Sequence, residues 1–172
     1  MGRMPRPSWL REHHFCLVLE VVTWTDVQGN GNCGYRSVAY AVKNNEDDWM
    51  EVRLDVYNCI RRHELFFNNY FGGGNSVYRV LASVAYWDNA PAPLQKWMTI
   101  TDVDVVVATY YNALVLSASS SGNQTSLPLW APEGSHFVYL KLNDNCPLPP
   151  FNLQWARYNN NTVAYLPEAL RD

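Results

Sequence analysis

Past an opening apolar run, the non-polar positions of this chain recur first at helical and then at strand spacing. The run Phe-Cys-Leu-Val-Leu-Glu-Val-Val at 15–22 is partly β-branched and suits a strand, and the polar segment Gln28-Gly29-Asn30-Gly31-Asn32 after it reads as a turn. From Cys33 onward, Tyr35, Val38, Ala39 and Val42 keep the i, i+3, i+4, i+7 interval that gathers side chains on one helix face. Asp47 or Asp48 can cap a second helix with the stripe Trp49, Val52, Val56 and Ile60, before the chain turns aromatic at 66–71 and breaks at Gly72-Gly73-Gly74. Val77, Val80, Leu81 and Val84 predict a third short helix, and Pro91 and Pro93 mark the loop beyond it. Thr101-Asp102-Val103-Asp104 has the form of a capping box, so an amphipathic helix with Val103, Val106, Val107 and Tyr110 on its face is expected to follow. Strand-like runs come next at Ala113–Ala118, Leu127–Ala131 and His136–Leu142, and the serine-rich stretch Ser117–Ser121 with Gly122 reads as a loop between strands. In the last run His136, Val138, Leu140 and Leu142 share one side, as a two-residue period requires. Helices first and strands later predict a layered α+β domain.

A chain of 172 residues without an internal repeat predicts one domain over 1–172. Its 48% hydrophobic content supplies a core and excludes a largely disordered chain. Thirteen Lys and Arg against sixteen Asp and Glu leave a net charge of −3, which gives no footprint for a polyanion, so no nucleic-acid partner is expected. No apolar run approaches the ~20 residues of a membrane-spanning helix, so no membrane partner is expected either. Arg3 and Arg6 precede no apolar segment of the kind that forms a secretory signal, and an intracellular location, cytoplasmic or nuclear, is therefore expected. Cys16, Cys33, Cys59 and Cys146 include no C-x-x-C pair, so they read as free thiols rather than metal ligands. The N-x-T matches at Asn123 and Asn160 carry no weight without export.

Chemistry concentrates in Gly29-Asn30-Gly31-Asn32-Cys33-Gly34-Tyr35-Arg36, a polar turn that delivers a cysteine to the first turn of a helix. Unpaired N–H groups and the positive end of a helix dipole favour the thiolate, which is the nucleophile, and the same N–H groups offer an oxyanion hole. The plainer alternative for Cys33 is a packed thiol, since cysteine is among the most buried residue types. A cysteine nucleophile needs a base, and His136, at the mouth of a strand after Gly134-Ser135, is the best placed. His13, His14 and His63 lie in polar or charged surroundings and read as surface residues.

The segment Asn30-Gly31-Asn32-Cys33-Gly34-Tyr35-Arg36-Ser37-Val38-Ala39 resembles the Asp-Gly-Asn-Cys-Gly-Tyr-Arg-x-x-Ala nucleophile motif of ovarian-tumour (OTU) domain cysteine proteases. Lys96-Trp97-Met98-Thr99, the helix leading to Tyr111-Asn112, and His136-Phe137-Val138 leading to Cys146-Pro147-Leu148-Pro149-Pro150 are similar to the OTU-like domains of plant and fungal transposon-associated proteins. The resemblance covers about Val22 to Trp155, roughly 22–155. It implies a papain-like fold with a small central sheet packed between helices, and a thiol protease that cleaves the (iso)peptide bond after the C-terminal Gly-Gly of ubiquitin. Ubiquitin, polyubiquitin or a ubiquitin-like modifier would be the partner, and no cofactor or metal is implied. Cys33 would be the nucleophile and His136 the base. Two departures stand out: Asn30 replaces the usual Asp three residues before the cysteine, and Val138 occupies a place that is often Asp or Asn in other branches. An Asn can orient an imidazole through its side-chain oxygen, which makes Asn30 the leading third member, ahead of Asp26, Asn143 and Asp144. A catalytically weak or inactive ubiquitin-binding module is the alternative. Trp97, Tyr35, Trp130 and Trp155 are candidates to wall a channel for a Gly-Gly tail, the alternative for most of them being a place in the core.

Overall fold

The computed structural model describes residues 25–119, 122–130 and 154–160. Helix α1 (Cys33–Lys43) starts at the expected cysteine and stops at Asn44, whose left-handed φ of 57° suits Asn and sends its N–H to the carbonyl of Tyr40. Tyr35 and Ala39 are buried as the spacing requires, but Val42 is exposed, and Arg36 takes a buried place instead. The reason is an anchor: Arg36 donates to Asp47 at 2.8 Å and lies over the Trp49 ring, which turns the buried face of α1 toward the 3-10 turn Glu46–Asp48. Helix α2 (Trp49–Arg62) follows directly, with Trp49, Val52, Val56 and Ile60 all buried. Neither expected cap acts on α2 through its side chain. Asp48 occupies the N-cap position, but its carboxylate accepts from Asn45, and Asp47 is committed to Arg36.

After His63 the chain re-enters a helix, α3 (Glu64–Tyr70), which buries Phe67 and Tyr70 in the aromatic segment. Gly72, Gly73 and Gly74 all have positive φ, so the break needs glycine for its backbone rather than for space. Helix α4 (Ser76–Val84) buries the expected Val77, Val80, Leu81 and Val84. A loop with a 3-10 turn at Leu94–Lys96 leads to α5 (Val103–Tyr111). Two expectations about α5 are corrected. Val103 through Thr109 are all buried while Tyr110 is exposed, so α5 is a core helix rather than an amphipathic one, because α2 and the hairpin cover it from different directions. No capping box forms either. Asp102 holds the N-cap position, and the Asp104 carboxylate turns to the N–H of Val105 and to Ser126 and Gln124.

Strands β1 (Val115–Ser119) and β2 (Gly122–Ser126) pair antiparallel, with Val115 opposite Ser126 and Ser119 opposite Gly122. The serine-rich stretch read as a loop therefore contributes Ser117–Ser119 to a strand, and the strand expected at Leu127–Ala131 is absent from Leu127–Trp130. Leu127, Pro128 and Leu129 are buried without forming a strand, and scattered groups supply their contacts: Thr109 Oγ1 accepts from the N–H of Leu129, and the Leu129 carbonyl accepts from the N–H of Asn160. The short helix α6 (Trp155–Tyr158) packs Trp155 into the core, its indole N–H on the carbonyl of Pro128. The runs at 15–22 and 136–142 lie outside the described residues. Helices together with a small sheet make the described part mixed α and β. No helix among the described residues is long and apolar enough to cross a membrane.

Candidate functional site

The turn before α1 is built by short-range hydrogen bonds and then clamped from outside. The N–H of Asn30 donates to the carbonyl of Gln28 (3.0 Å), and the N–H of Asn32 donates to the Asn30 side-chain oxygen (3.1 Å), the local bonding that makes Asn a turn residue. Two further bonds tie the turn to other segments: Gln28 N–H to the Glu46 carboxylate (2.9 Å) and Ala92 N–H to the Asn30 carbonyl (2.8 Å). Gly31 has a φ of +78°, and a Cβ there would stand 2.3 Å from the carbonyl oxygen of Ala92 and 2.5 Å from Nε1 of Trp97. Glycine is required at Gly31 on both counts. Gly29 has open space around it.

Asn32 is fully buried and sits at the N-cap position of α1, yet its side chain does not cap the helix. Its oxygen instead accepts from Nε (3.2 Å) and Nη2 (2.7 Å) of Arg53. Because both Arg53 groups are donors, the amide orientation is fixed by chemistry, and Nδ2 meets no hydrogen-bond partner among the described residues. Cys33, the first residue of α1, is exposed, and its backbone N–H and that of Gly34 meet no acceptor among the described residues. Gly34 lies against Met98, whose Cβ would stand 2.8 Å from a Cβ at that position. An exposed thiol beside free amide donors, on a backbone that cannot shift freely, can attack a carbonyl carbon and receive the resulting oxyanion.

Beneath the turn, Arg53 lies 3.9 Å from the centre of the Tyr35 ring. Burial pushes the Tyr35 phenol up to about 12, against the pull of Arg53, so the ring stays neutral and offers its face to the cation. Of the four aromatic candidates for a channel wall, Trp97 alone lies beside the turn, with its indole N–H on Ala92 (3.0 Å) and nearly half its surface exposed. Tyr35 and Trp155 are core residues, and Trp130 packs with His63, Phe66 and Phe67.

Asn30 is half-buried in the turn, its Oδ1 engaged with the N–H of Asn32. Asp26 is exposed. His136, Asn143 and Asp144 lie outside the described residues, as do His13 and His14. His63 is exposed at the end of α2, where burial against its neighbours, and secondarily Arg62, lowers its pKa. Among the described residues no three His, Cys, Asp or Glu side chains gather as a metal site. Reading the sequence placed Asn32 in the turn without giving its side chain a role, and missed Arg53. The available signal was Arg53 itself, a charge set between Val52 and Val56 on the apolar stripe of α2. No protein-family model, curated protein or solved structure matches the chain.

Proposed function

We propose that this chain is an OTU-like thiol protease that hydrolyses the (iso)peptide bond after the C-terminal Gly-Gly of ubiquitin or a ubiquitin-like modifier, within a papain-like fold. The observation that carries the reading is the exposed Cys33 thiol at the first residue of α1, on a turn held in place by Gly31, Ala92 and Trp97. The resemblance of Asn30–Ala39 to the family's nucleophile motif gives that thiol its substrate. In the reaction His136 takes the Cys33 proton as the sulfur bonds to the carbonyl carbon of the terminal glycine, and the N–H groups of Cys33 and Gly34 receive the oxyanion. Collapse of this intermediate breaks the C–N bond, and His136 gives its proton to the departing lysine amine. Water, deprotonated by His136, then cleaves the thioester and regenerates the thiol. Asn30 orients His136 through its remaining acceptor capacity, or supports the site through the turn it builds.

The test uses ubiquitin carrying a C-terminal electrophile together with a panel of diubiquitins. Wild type is expected to form a covalent adduct and to cleave at least one linkage, and Cys33→Ala to do neither. His136→Ala should lower kcat by orders of magnitude. Adduct formation that persists in Cys33→Ala would overturn the assignment. Tight ubiquitin binding without adduct or cleavage in wild type would favour a binding module.

A further inference from the structure

Arg53 is fully buried, and no carboxylate among the described residues pairs with it. Its guanidinium is satisfied by three neutral oxygens from three separate segments. These are the Asn32 side chain before α1, the Val84 carbonyl at the end of α4 (3.0 Å from Nη1) and the Lys96 carbonyl in the 3-10 turn (2.7 Å from Nη2). Lys96 in turn donates through Nζ to the carbonyls of Ala82 and Ala85, and the next two residues, Trp97 and Met98, are the ones packed on Gly31 and Gly34. One planar fork therefore grips both the nucleophile turn and the segment that walls it.

We propose that Arg53 is the positioning residue of this site: it turns the Asn32 side chain away from helix capping and locks the turn so that Cys33 and its neighbouring N–H groups keep one geometry. The proposal rests on the reading of Cys33 as the nucleophile. The requirement is for the fork rather than the charge. A guanidinium presents donors at fixed angles to acceptors on different sides, whereas an ammonium offers its three donors from a single point on a flexible stem. Arg53 touches no reacting atom, so its removal should act on turnover rather than on ubiquitin binding.

Arg53→Lys, Asn32→Ala and the double variant test this. Arg53→Lys keeps the charge and is expected to lower kcat at least tenfold with KM within about twofold. Because both residues act through one contact, the double variant should fall no further than the worse single variant. A readout that needs no ubiquitin accompanies the kinetics: exchange of the backbone N–H at position 32, which the Asn30 oxygen holds, should quicken at least tenfold in both single variants, with Val52 and Val56 in α2 unchanged. If wild type proves inactive on ubiquitin, the functional reading fails while the exchange measurement still decides the role of Arg53. Should Arg53→Lys not fold, Asn32→Ala must show both effects alone. Full kcat in Arg53→Lys, multiplicative losses in the double variant, or unchanged exchange at position 32 would overturn the proposal.

Discussion

Two buried ionic groups hold two parts of this molecule together, and they do so with opposite charges and the same kind of partner. At the nucleophile turn the group is Arg53, bonded to the Asn32 side chain and to the carbonyls of Val84 and Lys96. At the joint between α5 and the hairpin it is Asp104, which accepts from Val105 N–H (2.8 Å), Gln124 (2.8 Å) and Ser126 (2.7 Å). Neither meets a group of opposite charge among the described residues. Hydrogen bonds replace the hydration each charge has lost, which burial demands. The difference lies in titration. Burial lowers the pKa of Arg53, but a guanidinium starts so high that it stays charged across the working range, whereas burial pushes Asp104 from 3.8 up to about 6. The turn is thus held by a bond set that does not change with pH, and the hairpin joint by one that does.

Removing the permanent charge should give the largest effect. Arg53→Met leaves Asn32, Val84 and Lys96 with buried acceptors and no donor, and is expected to cost about 3–5 kcal/mol, nearly constant from pH 5 to 8 in urea melts. A loss that varies steeply with pH would erase the contrast. Gly31→Ala should follow at roughly 2–3 kcal/mol, since both the positive φ and the approach of Ala92 and Trp97 oppose a Cβ, while Gly29→Ala, in open space, should stay within about 0.5 kcal/mol. Equal effects at the two glycines would mean that the turn is not clamped.

The joint gives the next effect, and its direction follows from proton binding. The folded carboxyl of Asp104 holds its proton up to about 6, while the unfolded one releases it near 3.8, so between these values the folded state binds more protons. The contribution of Asp104 is complete below about pH 4 and is lost as pH rises through about 6, by roughly 3 kcal/mol. Stability measured against pH should carry this decline in wild type and lack it in Asp104→Asn. An unchanged slope in the variant would assign the titration elsewhere. The smallest change is expected at Leu65, exposed on α3, where Leu65→Ser should shift the melting temperature by no more than about 2 °C.

The periodic pattern alone determined the helices α1, α2 and α4 and the core stripes Trp49, Val52, Val56, Ile60 and Val77, Val80, Leu81, Val84, because a helix repeats its buried face within a few residues and a linear reading captures that interval. It also singled out the turn with Cys33 at a helix start, since Gly, Asn and Cys in close succession are a local signal. Strand β2, the burial of every residue from Val103 to Thr109 in α5 and the irregular run at Leu127–Trp130 depended on what lies across from each residue, which spacing does not encode. Asp104 shows the limit at a single residue. Its place three residues after Thr101 is that of a capping box, but Gln124 and Ser126, distant in sequence, outcompete the local bond. Arg53 shows the same limit at the site: that a charge belongs on an apolar stripe is decided only when Asn32, Val84 and Lys96 arrive from three directions to receive its donors. Local hydrogen bonds and side-chain periodicity are written in neighbouring residues, whereas the satisfaction of a buried charge is settled by groups that only the folded chain brings together.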